Sequence, residues 1–304
     1  MSKKILIVGS KGFLGSHILS HMTDLNDFEV WGCDVVNDYT AKNYFIIDAS
    51  NSDFEEVFQN NQFDVCVNCS GAASVPDSLM HPLRDYYLNT VNVFKLLEAI
   101  RKYTPHCKFI NISSAAVYGN PQKLPITEDS VAQPLSPYGN HKLQSEQICK
   151  EFHIYYQTNT CSLRIFSAYG AGLKKQLLWD ISQKSAHSKK DIILFGTGNE
   201  SRDFIHVLDI VQAVEIILRK GEFNAAIYNV ANSIEITVAY VAETLLKSLG
   251  WKGSLAFNNL QRKGDPLNWK ADITRLKSLG YNQKITIVDG LNMYAKWLIE
   301  EKLV

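Results

Sequence analysis

Tyr138 and Lys142 stand four apart in SPYGNHK, residues 136–142. On a helix that spacing puts both side chains on one face, so a phenol and an ammonium can point into the same space. A phenol beside a fixed positive charge is an acid–base group. Spacing alone favours a plainer arrangement, a surface tyrosine above a solvated lysine, so other residues must decide.

The carrier of the pair reads as a helix. Ser136 suits the N-cap, Pro137 suits the first helical position, and HKLQSEQICKEF continues with helix formers and an apolar stripe of Leu143, Ile148 and Phe152. Upstream, short apolar runs alternate with amphipathic stretches. KILIVG (4–9), EVWGCD (29–34), YFIID (44–48), DVCVNC (64–69), KFINIS (108–113) and CSLRIF (161–166) read as strands buried on both faces. Helical patterns such as FLGSHILSHM and DYYLNTVNVFKLLEAIRKY lie between them. The alternation predicts an α/β fold, a Rossmann-type doubly wound parallel sheet with ligands at the carboxyl ends of its strands.

GSKGFLG follows the first strand and opens the first helix, placing Gly9, Gly12 and Gly15 where backbone N–H groups can approach a pyrophosphate, with Phe13 and Leu14 between them. The second strand ends in Asp34, about 20 residues past the last glycine, where a carboxylate accepts from an adenosine ribose. A carboxylate repels a 2'-phosphate, and no basic residue is evident beside Asp34. The cofactor expected is NAD.

The 304 residues are 46% apolar and 20% charged, with 31 basic against 31 acidic side chains. That balance leaves no electrostatic footprint for nucleic acid or an anionic membrane. No apolar run approaches the roughly 20 residues that span a bilayer, and MSKKILIVGS is too short and strand-like for a signal peptide. A small-molecule partner and a cytoplasmic location are expected. Cys66 and Cys69 form a CxxC, but inside a strand residues three apart face opposite sides, so all six cysteines read as reduced core side chains and no metal site is expected.

With these motifs in place the chain resembles the extended short-chain dehydrogenase/reductase family, in its nucleotide-sugar epimerase, dehydratase and reductase branch. The resemblance covers nearly the whole length and rests on GSKGFLG, NCSGAASVPDS, YYLNTVNVFKLLEA, ISSAAVYG, the Tyr138/Lys142 pair and RDFIHVLDI. It implies that Tyr138 is the proton shuttle, and that Lys142 binds the nicotinamide ribose and lowers the phenol pKa. Ser114 is the implied hydroxyl on the same sugar oxygen, with Ser113 as the alternative. Asp48, followed by Ala49, matches an acceptor for the adenine amino group, although a strand-end turn would also use it. Ser70, Gly71 and Ala72 match the loop under the cofactor. Asn89 matches an asparagine near cofactor and sugar, or else a helix-surface residue. Arg202 and Arg262 match arginines that clamp the substrate diphosphate; pairing with Asp203 or Asp265 is the structural alternative.

Two stretches depart from the family pattern. RIFSAYGAG carries Ser167 where the family often has an asparagine on the sugar nucleotide. GLKKQLLWDI brings Lys174, Lys175 and Trp179, without counterparts, either to shape substrate recognition or to cover a helix face. The resemblance divides the chain into an NAD-binding domain, 1–166 with 207–230 packing back onto it, and a smaller C-terminal substrate-binding lobe, 167–206 and 231–304. A homodimer through the helices at 83–103 and 138–152 is expected.

Accessory residues narrow the reaction. Ala115 and Ala116 stand where a 4,6-dehydratase of the family has Asp-Glu, and Cys107 precedes the fifth strand, away from a 3,5-epimerase's acid/base position. The first expectation is an NAD-dependent nucleotide-diphosphate-sugar 4-epimerase. An NAD(P)H-dependent 4-keto-sugar reductase or dehydrogenase of the same family is the alternative, and a non-catalytic NAD-binding sensor is the reading from outside that class.

Overall fold

The computed structural model describes residues 3–49, 51–188, 190–260, 264 and 266–304. The chain runs β1 (Lys3–Val8), α1 (Phe13–Asp24), β2 (Phe28–Asp34), β3 (Tyr44–Ile46), α2 (Glu55–Gln59) and β4 (Val65–Asn68). A helical run follows: α3 (Val75–Met80), α4 (Pro82–Tyr86), a π-helical turn (Tyr87–Val91) and α5 (Asn92–Tyr103). Next come β5 (Lys108–Ser114), a 3-10 turn (Ala115–Val117), α6 (Pro137–Tyr156) and β6 (Asn159–Ile165). The remainder holds β7 (Ser167–Tyr169), α7 (Gln176–His187), β8 (Asp191–Leu194), β9 (Ser201–Arg202), β10 (Phe204–His206), α8 (Val207–Lys220) and β11 (Asn224–Val230). It closes with β12 (Ile236–Thr237), α9 (Val238–Ser248), β13 (Ser254–Phe257), α10 (Thr274–Ser278) and α11 (Ile287–Glu300).

Seven parallel strands form one sheet in the order β11-β6-β5-β4-β1-β2-β3. Period-two alternation feeds two cores. Ile5, Ile7, Val65, Val67, Ile110 and Leu163 pack on one face; Leu6, Val8, Cys66 and Phe109 pack on the other. Each fully buried aliphatic side chain contributes about 1.5–3 kcal/mol. Cys66 and Cys69 fall in opposite cores, and burial raises every one of the six thiols above its ordinary pKa. β3, which closes the sheet edge, is half-buried to exposed, and the first four residues of the neighbouring β2 are half-buried.

The chain order reverses across β1, with β2 on one side and β4 on the other, so a cleft opens above their carboxyl ends. β11 adds to the far edge beside β6, and α8 packs along α1, where His21 Nε2 meets Glu215 Oε2 at 2.7 Å. A third core, including Leu178, Ile181, Leu245, Leu291 and Leu298, gathers α7, α9 and α11 around the short β13·β8 pair. Among the described residues no helix is long and apolar enough to cross a membrane, and no group of three His, Cys, Asp or Glu side chains could hold a metal.

Candidate active site

α6 begins as its sequence dictates. Ser136 Oγ accepts from Gly139 N at 3.2 Å, and Pro137 follows. Its inward face is polar. Tyr138, His141, Lys142, Ser145, Glu146, Cys149 and Phe152 are buried, whereas Leu143 and Ile148, expected in the apolar stripe, are half-buried. The helix runs along β5 and β6, where polar side chains find partners: Asn111 Nδ2 donates to Ser145 Oγ at 3.0 Å, and Ser145 Oγ to the Lys142 carbonyl at 2.7 Å.

Tyr138 is 9% exposed and its hydroxyl is hydrogen-bonded to Ser114, the last residue of β5. Ser114 Oγ also accepts from Ala116 N at 3.1 Å, so it caps the following turn as well. Ser113 points the other way. Its Oγ donates to Glu146 Oε1 at 2.6 Å, and Glu146 receives Arg164 Nε at 3.0 Å and Nη2 at 2.7 Å. Strand alternation thus separates the two serines; only Ser114 reaches the phenol.

Lys142 Nζ donates to the Ile112 carbonyl at 2.9 Å. Burial pulls this lysine down to about 8, opposed first by Asp85. Burial pushes the Tyr138 phenol up to about 12; the Ser114 hydrogen bond opposes the rise and Asp85 adds to it. The sequence had led us to expect Lys142 to depress that pKa. Desolvation outweighs any such effect on the phenol here, and the ammonium is engaged by the Ile112 carbonyl.

Across the cleft, Gly9 adopts φ +78°, and a Cβ there would meet Ser70 N at 2.7 Å. A Cβ on Gly15 would stand 2.1 Å from the Gly9 carbonyl oxygen, which fixes how closely α1 packs on its own entry turn. Gly12 occupies the N-cap without any side-chain cap, so the first-turn N–H groups, at Phe13, Leu14 and Gly15, are left for an outside acceptor. The NAD dependent epimerase/dehydratase family matches residues 5–231, a span containing both the glycine turn and the Tyr138 helix. The chain belongs to this family.

Individual relatives agree in extent. An uncharacterized protein of Methanocaldococcus jannaschii is 30% identical over 99% of this chain and 97% of its own length. The UDP-glucose 4-epimerase of Bacillus subtilis is 28% identical over 92% of each. Among solved structures, the UDP-N-acetylglucosamine 4-epimerase of Methanobrevibacter ruminantium, in complex with UDP-N-acetylmuramic acid, is 26% identical and superposes with a TM-score of 0.87 over 99% of both chains.

The residues present fit the family's dinucleotide. Asp34 closes β2, nearly buried, with Oδ2 accepting from Lys11 N at 2.8 Å and Oδ1 from Val35 N at 2.7 Å. Oδ1 also takes Val36 N at 3.4 Å, so it is Oδ2 that keeps a lone pair for a ribose hydroxyl. One expectation needs correcting, because a basic residue does stand here. Lys11, inside the glycine turn, reaches over the Tyr44 ring and pairs with Asp38. Sequence distance hid it: 27 residues separate the partners.

Ser70 is held by Asn68, whose Oδ1 accepts from its N at 3.1 Å and from its Oγ at 2.5 Å. Gly71 has φ +117°, and its missing Cβ leaves room for Asn89 Oδ1. Asn89 is buried in the π-helical turn, not on the helix surface, and its Nδ2 donates to the Ala72 carbonyl at 3.1 Å. It therefore braces the 70–72 loop. The wider π turn carries one more residue per turn than an α-helix allows, a feature frequent at functional sites. Asp48 is exposed, and its Oδ1 accepts from Asn51 N at 3.2 Å as a strand-end turn does; Ala49 beside it is exposed.

On the opposite wall, Ser167 sits in β7 against β10. Arg202 Nη1 donates to the Ser201 and Leu267 carbonyls at 2.8 and 3.1 Å, with the guanidinium over Trp269. Asp203 turns inward, accepting from Asn232 N and Ala271 N, each at 3.0 Å. Arg262 lies outside the described residues. Lys174 lies over the Trp297 ring and Trp179 packs against the third core, whereas the charge of Lys175 weighs on Lys142. Sequence reasoning missed Asp85, His141 and Glu146. His141 could have been found from its spacing, three after Tyr138 on the same helical face.

Proposed function

We propose that the protein is an NAD-dependent nucleotide-diphosphate-sugar 4-epimerase, with Ser114, Tyr138 and Lys142 as its catalytic residues. The observation that carries this reading is the buried Tyr138 hydroxyl, hydrogen-bonded to Ser114 one helical turn from Lys142. The B. subtilis and M. ruminantium relatives act on UDP-sugars, which makes a UDP-sugar the first substrate to try.

Bound NAD would supply reversible hydride acceptance at sugar C4. Its pyrophosphate suits the first turn of α1, at Gly12, Phe13, Leu14 and Gly15; its adenosine ribose suits Asp34; the 70–72 loop, braced by Asn89, lines its other side. Tyr138 oxygen would take the proton of the C4 hydroxyl as hydride leaves C4, and would give it back as hydride re-adds to the opposite face of the 4-keto sugar. Ser114 hydrogen-bonds the same sugar oxygen and holds it in line. Lys142, charged below about pH 8, supplies the positive field that favours the phenolate. Arg202 and Ser167 line the wall for the rest of the substrate.

In this reading residues 167–206 and 231–304 form the substrate-binding lobe, and 1–166 with 207–230 the NAD-binding domain. Exposed Leu83, Tyr87 and Phe94, with Tyr155 and Tyr156 at the end of α6, support a homodimer through these helices. A cytoplasmic location accords with a nucleotide-sugar substrate. The test is to denature the purified protein without added cofactor and quantify the nucleotide released by mass spectrometry. Near-stoichiometric NAD, followed by C4 inversion of a UDP-sugar seen by NMR, is the expected result. An empty protein that leaves every nucleotide sugar unchanged at C4 overturns the assignment.

A further inference from the structure

Among the described residues, Asp85 is the buried carboxylate that bears on both Tyr138 and Lys142. It sits on α4, 1% exposed, with Oδ2 at 2.6 Å from His141 Nδ1. Its Oδ1 has no hydrogen-bond partner, an uncommon state for a buried carboxylate oxygen. His141 is 9% exposed, lies between Tyr138 and Lys142 in sequence, is tethered through its carbonyl to Thr90 Oγ1 at 3.2 Å, and stands edge-on to Tyr86. A buried carboxylate and the imidazole on it, this close to a reacting tyrosine, shape its electrostatics.

We propose that Asp85 and His141 are a positioning pair for the catalytic couple: the Asp85 carboxylate keeps Lys142 charged inside the protein, and His141, held on that carboxylate, shields the Tyr138 phenolate from it. This rests on the reading of Tyr138 and Lys142 as the acid–base couple. The other groups bearing on Lys142 are Cys69 at the end of β4, Glu146 on its own helix, Lys175 at the start of α7 and the Ile112 carbonyl; Ser114 faces Tyr138. Of these, Asp85 is the foremost counter-charge to the lysine.

The experiment follows Lys142 in the holoenzyme by NMR of 13Cε-labelled lysine across pH 6–11, with Lys142→Met identifying the signal. Asp85→Asn should lower the Lys142 midpoint by about one pH unit, a tenfold weaker hold on the proton. His141→Gln should raise it by a similar factor, and the double variant should return close to wild type. If the pair were only structural, either substitution would admit water and both midpoints would rise together. That common rise, or no shift in either variant, overturns the proposal. Should Asp85→Asn fail to fold, His141→Gln and the double variant still decide, because a wild-type midpoint in the first or a raised one in the second contradicts the pair. The titration needs no sugar, so a failure of the epimerase reading shows separately, as an absence of C4 inversion in the wild type.

Discussion

The glycine turn after β1 and the inward face of α6 border one cleft by opposite means. The turn works by lacking side chains: Gly9 and Gly15 have no space for a Cβ, and Gly12 leaves the helix start uncapped. The α6 face works by burying polar ones, from Tyr138 and Lys142 to Glu146, which pairs with Arg164 of β6. Backbone donors cost little to keep in place, whereas a buried ammonium or phenol must be compensated group by group. Damage to the turn should therefore appear as lost cofactor, and damage to the helix face as lost chemistry with stability retained or even gained.

Tyr138→Phe provides the largest contrast. It removes one hydroxyl from the face and nothing from the turn, so released NAD should stay near wild type while epimerisation falls about a thousandfold, within the range for a lost acid–base group. Activity within tenfold of wild type would break the contrast by placing proton transfer elsewhere. Gly15→Ala is the reverse experiment. With its Cβ 2.1 Å from the Gly9 carbonyl oxygen, the turn must be rebuilt, and NAD released on denaturation should drop by about tenfold or more. Full occupancy would show that the turn tolerates what its geometry forbids.

The two regions also differed in how far the sequence revealed them. Glycines at fixed offsets after an apolar strand report backbone geometry directly, and the six named strands of the first half all form, because buried parallel strands need continuous apolar runs. Ser136 and Pro137 likewise announced the start of α6. What stayed hidden depended on partners distant in the chain. Ser113 and Ser114 are indistinguishable until Glu146 claims the first, and Lys11 looks solvated until Asp38 folds back 27 residues on. His141 finds its partner only when α4 delivers Asp85. Polar burial is a property of pairs, and a single sequence shows only one member at a time.

Lys142→Met tests the cost of the helix face. Burial lowers the folded-state pKa of Lys142 to about 8 from an ordinary 10.5. Between those values the unfolded chain holds a proton that the folded chain does not, so this group's contribution to stability is complete above about pH 10.5 and is lost as pH falls through 8. At pH 7 the penalty is about 3 kcal/mol. Lys142→Met should thus raise the urea midpoint at pH 7 while abolishing activity, and the gain over wild type should shrink as pH climbs from 8 towards 10.5. A variant less stable than wild type at pH 7 would mean that the Ile112 hydrogen bond outweighs desolvation.

The smallest expected effect lies on the turn side, where one charged side chain does enter. Lys11 pairs with Asp38 on the surface beside Asp34, and exposed pairs of this kind contribute little to stability. Their effect should fall on cofactor choice. With Asp38 in place the ammonium is neutralised, and Asp34 alone meets the ribose 2'-position, which disfavours a 2'-phosphate. Asp38→Asn frees the ammonium for that phosphate without touching Asp34. The ratio of NAD to NADP bound, measured by competition and by the nucleotides released on denaturation, should fall by about three- to tenfold, with melting temperature unchanged and a dependence on salt that wild type lacks. If the ratio stays fixed, Asp34 alone sets cofactor choice, and the glycine turn works through backbone groups with no help from its one charged side chain.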